Sequence, residues 1–140
     1  RNILGRIMNK KFRSTLALIG FSALAGLPNI VLAETTSYTC GYTQASYTAP
    51  FEKEVSTRNC PEGRCSYTVT ITGSSATING VSGFAVEQSD TMVKLSRTAK
   101  DPIMGGMDTS VLTINTSDMS FENVKTTTPS VVLRTQGTCQ

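Results

Sequence analysis

Histidine and tryptophan are absent from the 140 residues, and aromatic side chains make up only 6%. Without histidine the chain cannot build a His-containing zinc site, a Ser-His-Asp triad or a Cys-His pair. It also lacks the commonest general base of enzymes. Charged residues are sparse at 16%. No apolar run reaches the roughly 20 residues of a membrane-spanning helix, because the longest is interrupted by Pro28 and Asn29. Internal repeats, coiled-coil heptads and low-complexity tails are also missing, so nothing points to a solenoid or a fibrous protein.

What is present divides the chain in two. Asn9-Lys10-Lys11-Phe12-Arg13 is a positive segment, Leu16 to Ala25 is apolar, and Val31-Leu32-Ala33 places small residues where a signal peptidase cuts. Residues 1–33 are therefore expected to be an export signal cleaved before Glu34, which leaves residues 34–140 as a single exported β domain. Met8 stands just ahead of the basic segment, so residues 1–7 read as a mis-assigned start. No Cys follows the apolar stretch directly, as a lipid anchor would need, and no Glu interrupts it, as in a type IV pilin. The chain carries 13 basic and 10 acidic groups, but five of the basic ones belong to the signal. The remainder is slightly acidic. It offers no electrostatic case for nucleic acid or, once the signal is removed, for an anionic membrane. Localisation is expected to be periplasmic or secreted.

All four cysteines, Cys40, Cys60, Cys65 and Cys139, fall in the exported part. An even number there argues for disulfides. Cys60-Pro61-Glu62-Gly63-Arg64-Cys65 has a Pro and a Gly to turn the chain, so a local bridge is expected. That leaves Cys40 to join Cys139 and tie the first strand to the last. Closing a loop of roughly 100 residues stabilises by about 4.7 kcal/mol in the chain-entropy model.

Ser and Thr number 33 among the 107 exported residues, a composition suited to half-exposed strands. Cys65-Ser66-Tyr67-Thr68-Val69-Thr70-Ile71-Thr72 alternates apolar side chains with hydroxyls, the pattern of a strand with one wet face. Similar segments lie near 37–43, 51–57, 75–79, 81–87, 91–97, 109–116, 119–124 and 130–136. Asn79-Gly80 is the strongest turn signal, and Ser117-Asp118 and Thr128-Pro129 mark further reversals. The expectation is an all-β, disulfide-stabilised antiparallel meander of about eight strands closing into a small barrel or sandwich. Strand parity places Tyr67, Val69, Ile71, Val93, Leu95, Leu112, Ile114, Phe121, Val131 and Leu133 inside. Tyr38, Cys40 and Tyr42 share a face and should pack around the disulfide.

Candidates for chemistry are few. Glu52 and Glu54 share one face of the predicted 51–57 strand, the spacing of a carboxylate pair or of a charged edge. Lys94, Arg97 and Lys100 form a short basic cluster, and Asn115-Thr116-Ser117 matches a glycosylation triplet. The most unusual stretch is 98–108, a long connection between two good strands and the candidate binding loop. It contains Asp101, Met104, Gly105, Gly106, Met107 and Asp108. Met104 and Met107, with Met92 and Met119 nearby in sequence, offer soft thioethers to Cu(I). The other use of such methionines is adaptable apolar filling.

An export signal, Tyr38-Thr39-Cys40 on the first strand and a Cys near the end of a small antiparallel barrel resemble the architecture of the periplasmic inhibitors of C-type lysozyme. The Ser-Gly-x-x-Tyr type loop of that family has no counterpart here, and Gly73-Ser74-Ser75-Ala76 only partly follows it, so no functional residue carries over. The leading expectation is an exported, non-enzymatic binding domain for a protein or small ligand, inhibitor-like and without cofactor. A Met-based Cu(I)-binding protein and a small hydrolase are the alternatives.

Overall fold

The computed structural model describes residues 31–140 apart from 129, together with 26, 28 and 29. The export signal expected over 1–33 lies for the most part outside the described residues. Among the described residues no helix is long and apolar enough to cross a membrane. Ala33–Gln140 forms one compact unit.

Among the described residues there are ten strand segments: β1 (Thr35–Tyr42), β2 (Gln44–Thr48), β3 (Ser56–Asn59), β4 (Cys65–Thr72), β5 (Ser75–Ile78), β6 (Val81–Gln88), β7 (Met92–Lys100), β8 (Met107–Asn115), β9 (Ser120–Thr126) and β10 (Val132–Cys139). β1 and β2 are one strand bent at Thr43. Along β10, Cys139 faces Cys40 and Thr135 faces Ala45, so the register slips by a residue between them, the mark of a β-bulge. β3 and β4 run in line on the other side, against β2 and β1 respectively. A short 3-10 turn at Pro61–Gly63 and the Cys60–Cys65 disulfide fill the interval between them. With these joined, eight strands close an antiparallel up-and-down barrel.

The closing seam is short. β1 and β10 share only the pairs Cys40–Cys139 and Gly41–Thr138, extended by the mutual N–H to carbonyl bonds of Thr39 and Gln140. A Cβ on Gly137 would overlap the Gly41 carbonyl and sit 3.0 Å from the Phe121 ring, so the strands meet because position 137 carries no side chain. The Cys40–Cys139 disulfide locks the same place, as the sequence led us to expect. Asn79 and Gly80 both have positive φ, 50° and 77°, and join Ile78 to Val81 in the tight hairpin foreseen for them.

Burial follows the expected parity over most of the barrel, but Tyr67, Val131 and Leu133, expected inside, are only half-buried, and the last two line an opening at one end. Val69, Leu95, Leu112 and Ile114 are fully buried, with Ile71, Val93 and Phe121 close to it. Tyr38, Tyr42 and Tyr67 pack against this cluster, which is the core role rather than an aromatic patch. Tyr42 stacks on Tyr67 with centroids 4.9 Å apart, and Tyr67 meets Phe121 edge-on at 6.0 Å. The Tyr67 hydroxyl lies 3.0 Å from that of Thr135, which satisfies the one buried polar residue among the described residues.

Three expectations need correction. Residues 51–55 are not a strand; they belong to the connection between β2 and β3, and Glu52 and Glu54 are exposed on it. Gln44–Thr48 is a strand the pattern did not single out. The 98–108 connection is shorter than expected: Ala99 pairs with Asp108 and Lys100 with Met107, so only residues 101–106 form the loop. Polar, hydroxyl-rich strands on a barrel rim lack the apolar alternation that marks the core strands.

Candidate functional site at the open end of the barrel

The inward-facing positions change character along each strand. On β7 the order is Val93, Leu95, Arg97, and on β8, read backwards, it is Ile114, Leu112, Ser110, Asp108. On β9 it is Phe121, Asn123, Lys125. The apolar residues fill the half of the barrel nearer the turns at 73–74, 89–91 and 116–119, and the polar ones mark the opposite half. At that end β4, β5 and β6 stop short, while β7, β8, β9, β10, β2 and β3 continue as a curved sheet.

The concave face of this extension holds a groove of about 380 Å³, open to solvent on one side. Ala45, Val131 and Leu133 give it an apolar floor, with Tyr47, Arg58 and Lys125 around them. Register explains the gathering. Lys125 pairs with Leu133, Leu133 with Tyr47, and Ala45 with Arg58. The Arg58 guanidinium lies over the Tyr47 ring, 5.3 Å from its centroid, a cation–π contact. Among the described residues no carboxylate oxygen lies within 4.0 Å of Arg58. Lys125 Nζ is 3.9 Å from Asp108 Oδ2, while Asp108 Oδ1 is buried and has no hydrogen-bond partner.

Two hairpin loops border the groove. In the β7–β8 loop, Asp101 Oδ1 accepts the N–H groups of Ile103 (2.7 Å) and Met104 (3.0 Å), and the Gly105 N–H donates to the Asp101 carbonyl. The Met104 and then the Ile103 bond hold the Asp101 carboxyl below its ordinary pKa. Gly106 abuts Thr128, whose Cβ would be 2.6 Å from any Cβ placed there, and the Thr128 hydroxyl donates to the Met107 carbonyl at 3.1 Å. The loop is thus fixed internally and against its neighbour, yet Ile103 is 88% and Met104 65% exposed. Across the sheet, the β2–β3 loop presents Phe51 at 95% exposure, with Val55 also exposed.

Of the residues singled out from sequence, Asp101, Met104, Gly105 and Gly106 lie on this loop and Met107 and Asp108 start β8. Met107 is half exposed on the outer face, and Asp108 takes the inward parity toward the groove. Met92 starts β7 and Met119 precedes β9, so both sit at the other end of the barrel and do not join the Met104–Met107 pair. The pleat also divides the basic cluster: Lys94 and Lys100 share one face, Arg97 takes the other, and Lys94 pairs with Glu87 at 3.6 Å. Among the described residues no three of His, Cys, Asp or Glu gather as a metal site. Asn115 uses its side-chain oxygen to accept the Ser117 N–H at 2.9 Å.

The sequence reading missed Tyr47, Arg58 and Lys125. A usable signal existed in Phe121-Glu122-Asn123-Val124-Lys125, where a lysine falls on the parity of a buried phenylalanine, which is expected only where a barrel opens. The chain matches no protein-family model, and no curated protein or solved structure is similar to it.

Proposed function

We propose that the chain is an exported, non-enzymatic binding domain that docks a partner protein on the open end of its barrel. One observation carries this reading: two hairpin loops at the open end, the β7–β8 loop held by Asp101 and Thr128 and the β2–β3 loop, present Phe51, Ile103 and Met104 to solvent beside a groove lined by Tyr47 and Arg58. Large apolar side chains this exposed contribute little burial to the core. Clustered with Tyr and Arg, they have the composition that concentrates binding energy at protein interfaces. Two disulfides and the tight barrel supply the rigid scaffold, so little ordering cost falls on binding.

The test places a photo-crosslinking residue at position 104 or at position 92, at opposite ends of the barrel, in the cell of origin. A defined adduct from position 104 and none from position 92 is expected. The adduct should disappear in a Phe51→Ser, Met104→Ser variant that keeps its melting temperature. Equal adducts from both ends, or an adduct that survives the double variant, would overturn the reading. Anaerobic Cu(I) that shifts the Met104 and Met107 methyl signals first, with no protein adduct, would favour the soft-metal alternative.

A further inference from the structure

We infer that the groove is a seat for the C-terminal carboxylate of the partner polypeptide, and this rests on the docking reading above. Lys125 on β9 and Arg58 on β3 flank β10 and β2; Lys125 shares a row with Leu133 and Tyr47, and Arg58 stands two residues along β3 from that row, opposite Ala45. At about 4.8 Å per strand spacing, β9 and β3 are about 14 Å apart at the backbone, and the Arg58 guanidinium reaches back over the Tyr47 ring on β2, toward the Lys125 side of the groove. Arg58 has its guanidinium positioned by the Tyr47 ring and no carboxylate of its own among the described residues. Lys125 is only loosely held by Asp108, at 3.9 Å. Asp101 lies close enough to Lys125 to feel its charge, but its own Oδ1 is already bonded to the Ile103 and Met104 N–H groups. A planar guanidinium with no carboxylate partner, lining the same groove as an ammonium, is matched by a carboxylate, which Arg binds through two parallel bonds.

Three features favour a chain end over a free organic acid. The floor of Ala45, Val131 and Leu133 fits an apolar last side chain. β3 ends the sheet, so alternate backbone groups of Ser56–Asn59 are free to pair with an extended segment entering beside Arg58. The exposed loops continue the surface beyond what a small acid would cover.

The experiment is a ¹H–¹⁵N titration of the disulfide-bonded domain with an N-acetylated hexapeptide ending in Val-Leu, first as the free acid and then as the C-terminal amide. N-acetyl-leucine is the third probe. The free acid should give saturable shifts at Arg58, Tyr47 and Leu133 and along β3, and the amide should not. Arg58→Gln, an exposed change that leaves the core intact, should weaken the free acid by about tenfold or more. Equal binding of acid and amide, or no saturable shift with either at millimolar concentration, overturns the inference. So does N-acetyl-leucine binding as tightly as the hexapeptide, which would make the groove a small-acid site. Crosslinking that persists in Arg58→Gln but fails in the Phe51→Ser, Met104→Ser variant removes this inference and leaves the docking reading standing.

Discussion

Individual side chains of this domain are legible to the extent that their neighbours are apolar. Val69 and Leu95 follow from alternation alone, and both are fully buried. Arg58 does not, because nothing local reveals that Ala45, on a strand bent at Thr43, turns it toward the groove. Tyr42 shows what the tertiary surroundings add. Burial, with the Tyr67 phenol beside it, pushes its pKa from 10.0 to about 12. Below pH 10 both folded and unfolded chains keep the proton, and Tyr42 contributes no slope. Between 10 and about 12 the unfolded chain loses it first, so stability falls as pH rises through that window. Denaturant melts across the alkaline range should show a smaller loss for Tyr42→Phe than for the parent chain. An identical alkaline decline in both would remove Tyr42 from the account.

Among the elements, the meander from β4 to β10 was readable because each strand alternates and each turn carries its own chemistry, as Asn79-Gly80 does. The first hairpin was not. β2 and β3 are short and polar, and the interval between β3 and β4 interrupts the period just where a strand would otherwise be continuous. The Cys60–Cys65 disulfide closes that interval, with the Cys60 N–H donating to the Thr43 carbonyl at 2.9 Å across the bend. Its effect should therefore be local. Replacing both by Ser releases only a small loop in the unfolded chain, and the entropy model assigns the six-residue ring about 2 kcal/mol. Hydrogen exchange should quicken over Ser56–Asn59 and the start of β4 while Leu95 and Leu112 keep their protection. Uniform acceleration through the barrel would show that the bridge supports more than the rim.

At the scale of the whole molecule, closure and asymmetry have different origins. The asymmetry between a packed end and an open one arises from inward positions that turn polar on several strands at once. That shared tier exists only after the strands are in register, which is why no single segment discloses the groove. Closure, by contrast, was written in Cys40 and Cys139. β1 and β4 share eight register pairs, whereas β1 and β10 share two beside the four that β2 and β10 share, and the disulfide stands on that short β1 stretch of the seam. The bridge spans 99 positions, so its loss frees the unfolded chain far more than loss of the local ring does. Replacing both Cys40 and Cys139 by Ser should cost about 2–5 kcal/mol in denaturant melts, more than the Cys60 and Cys65 pair. Because the seam joins the first strand to the last, the loss should appear as one cooperative transition at lower denaturant, with Gly41 and Thr138 exchanging early. A smaller loss than that of the local pair would mean that the Gly137 contact and the β2–β10 ladder hold the barrel closed without the covalent link.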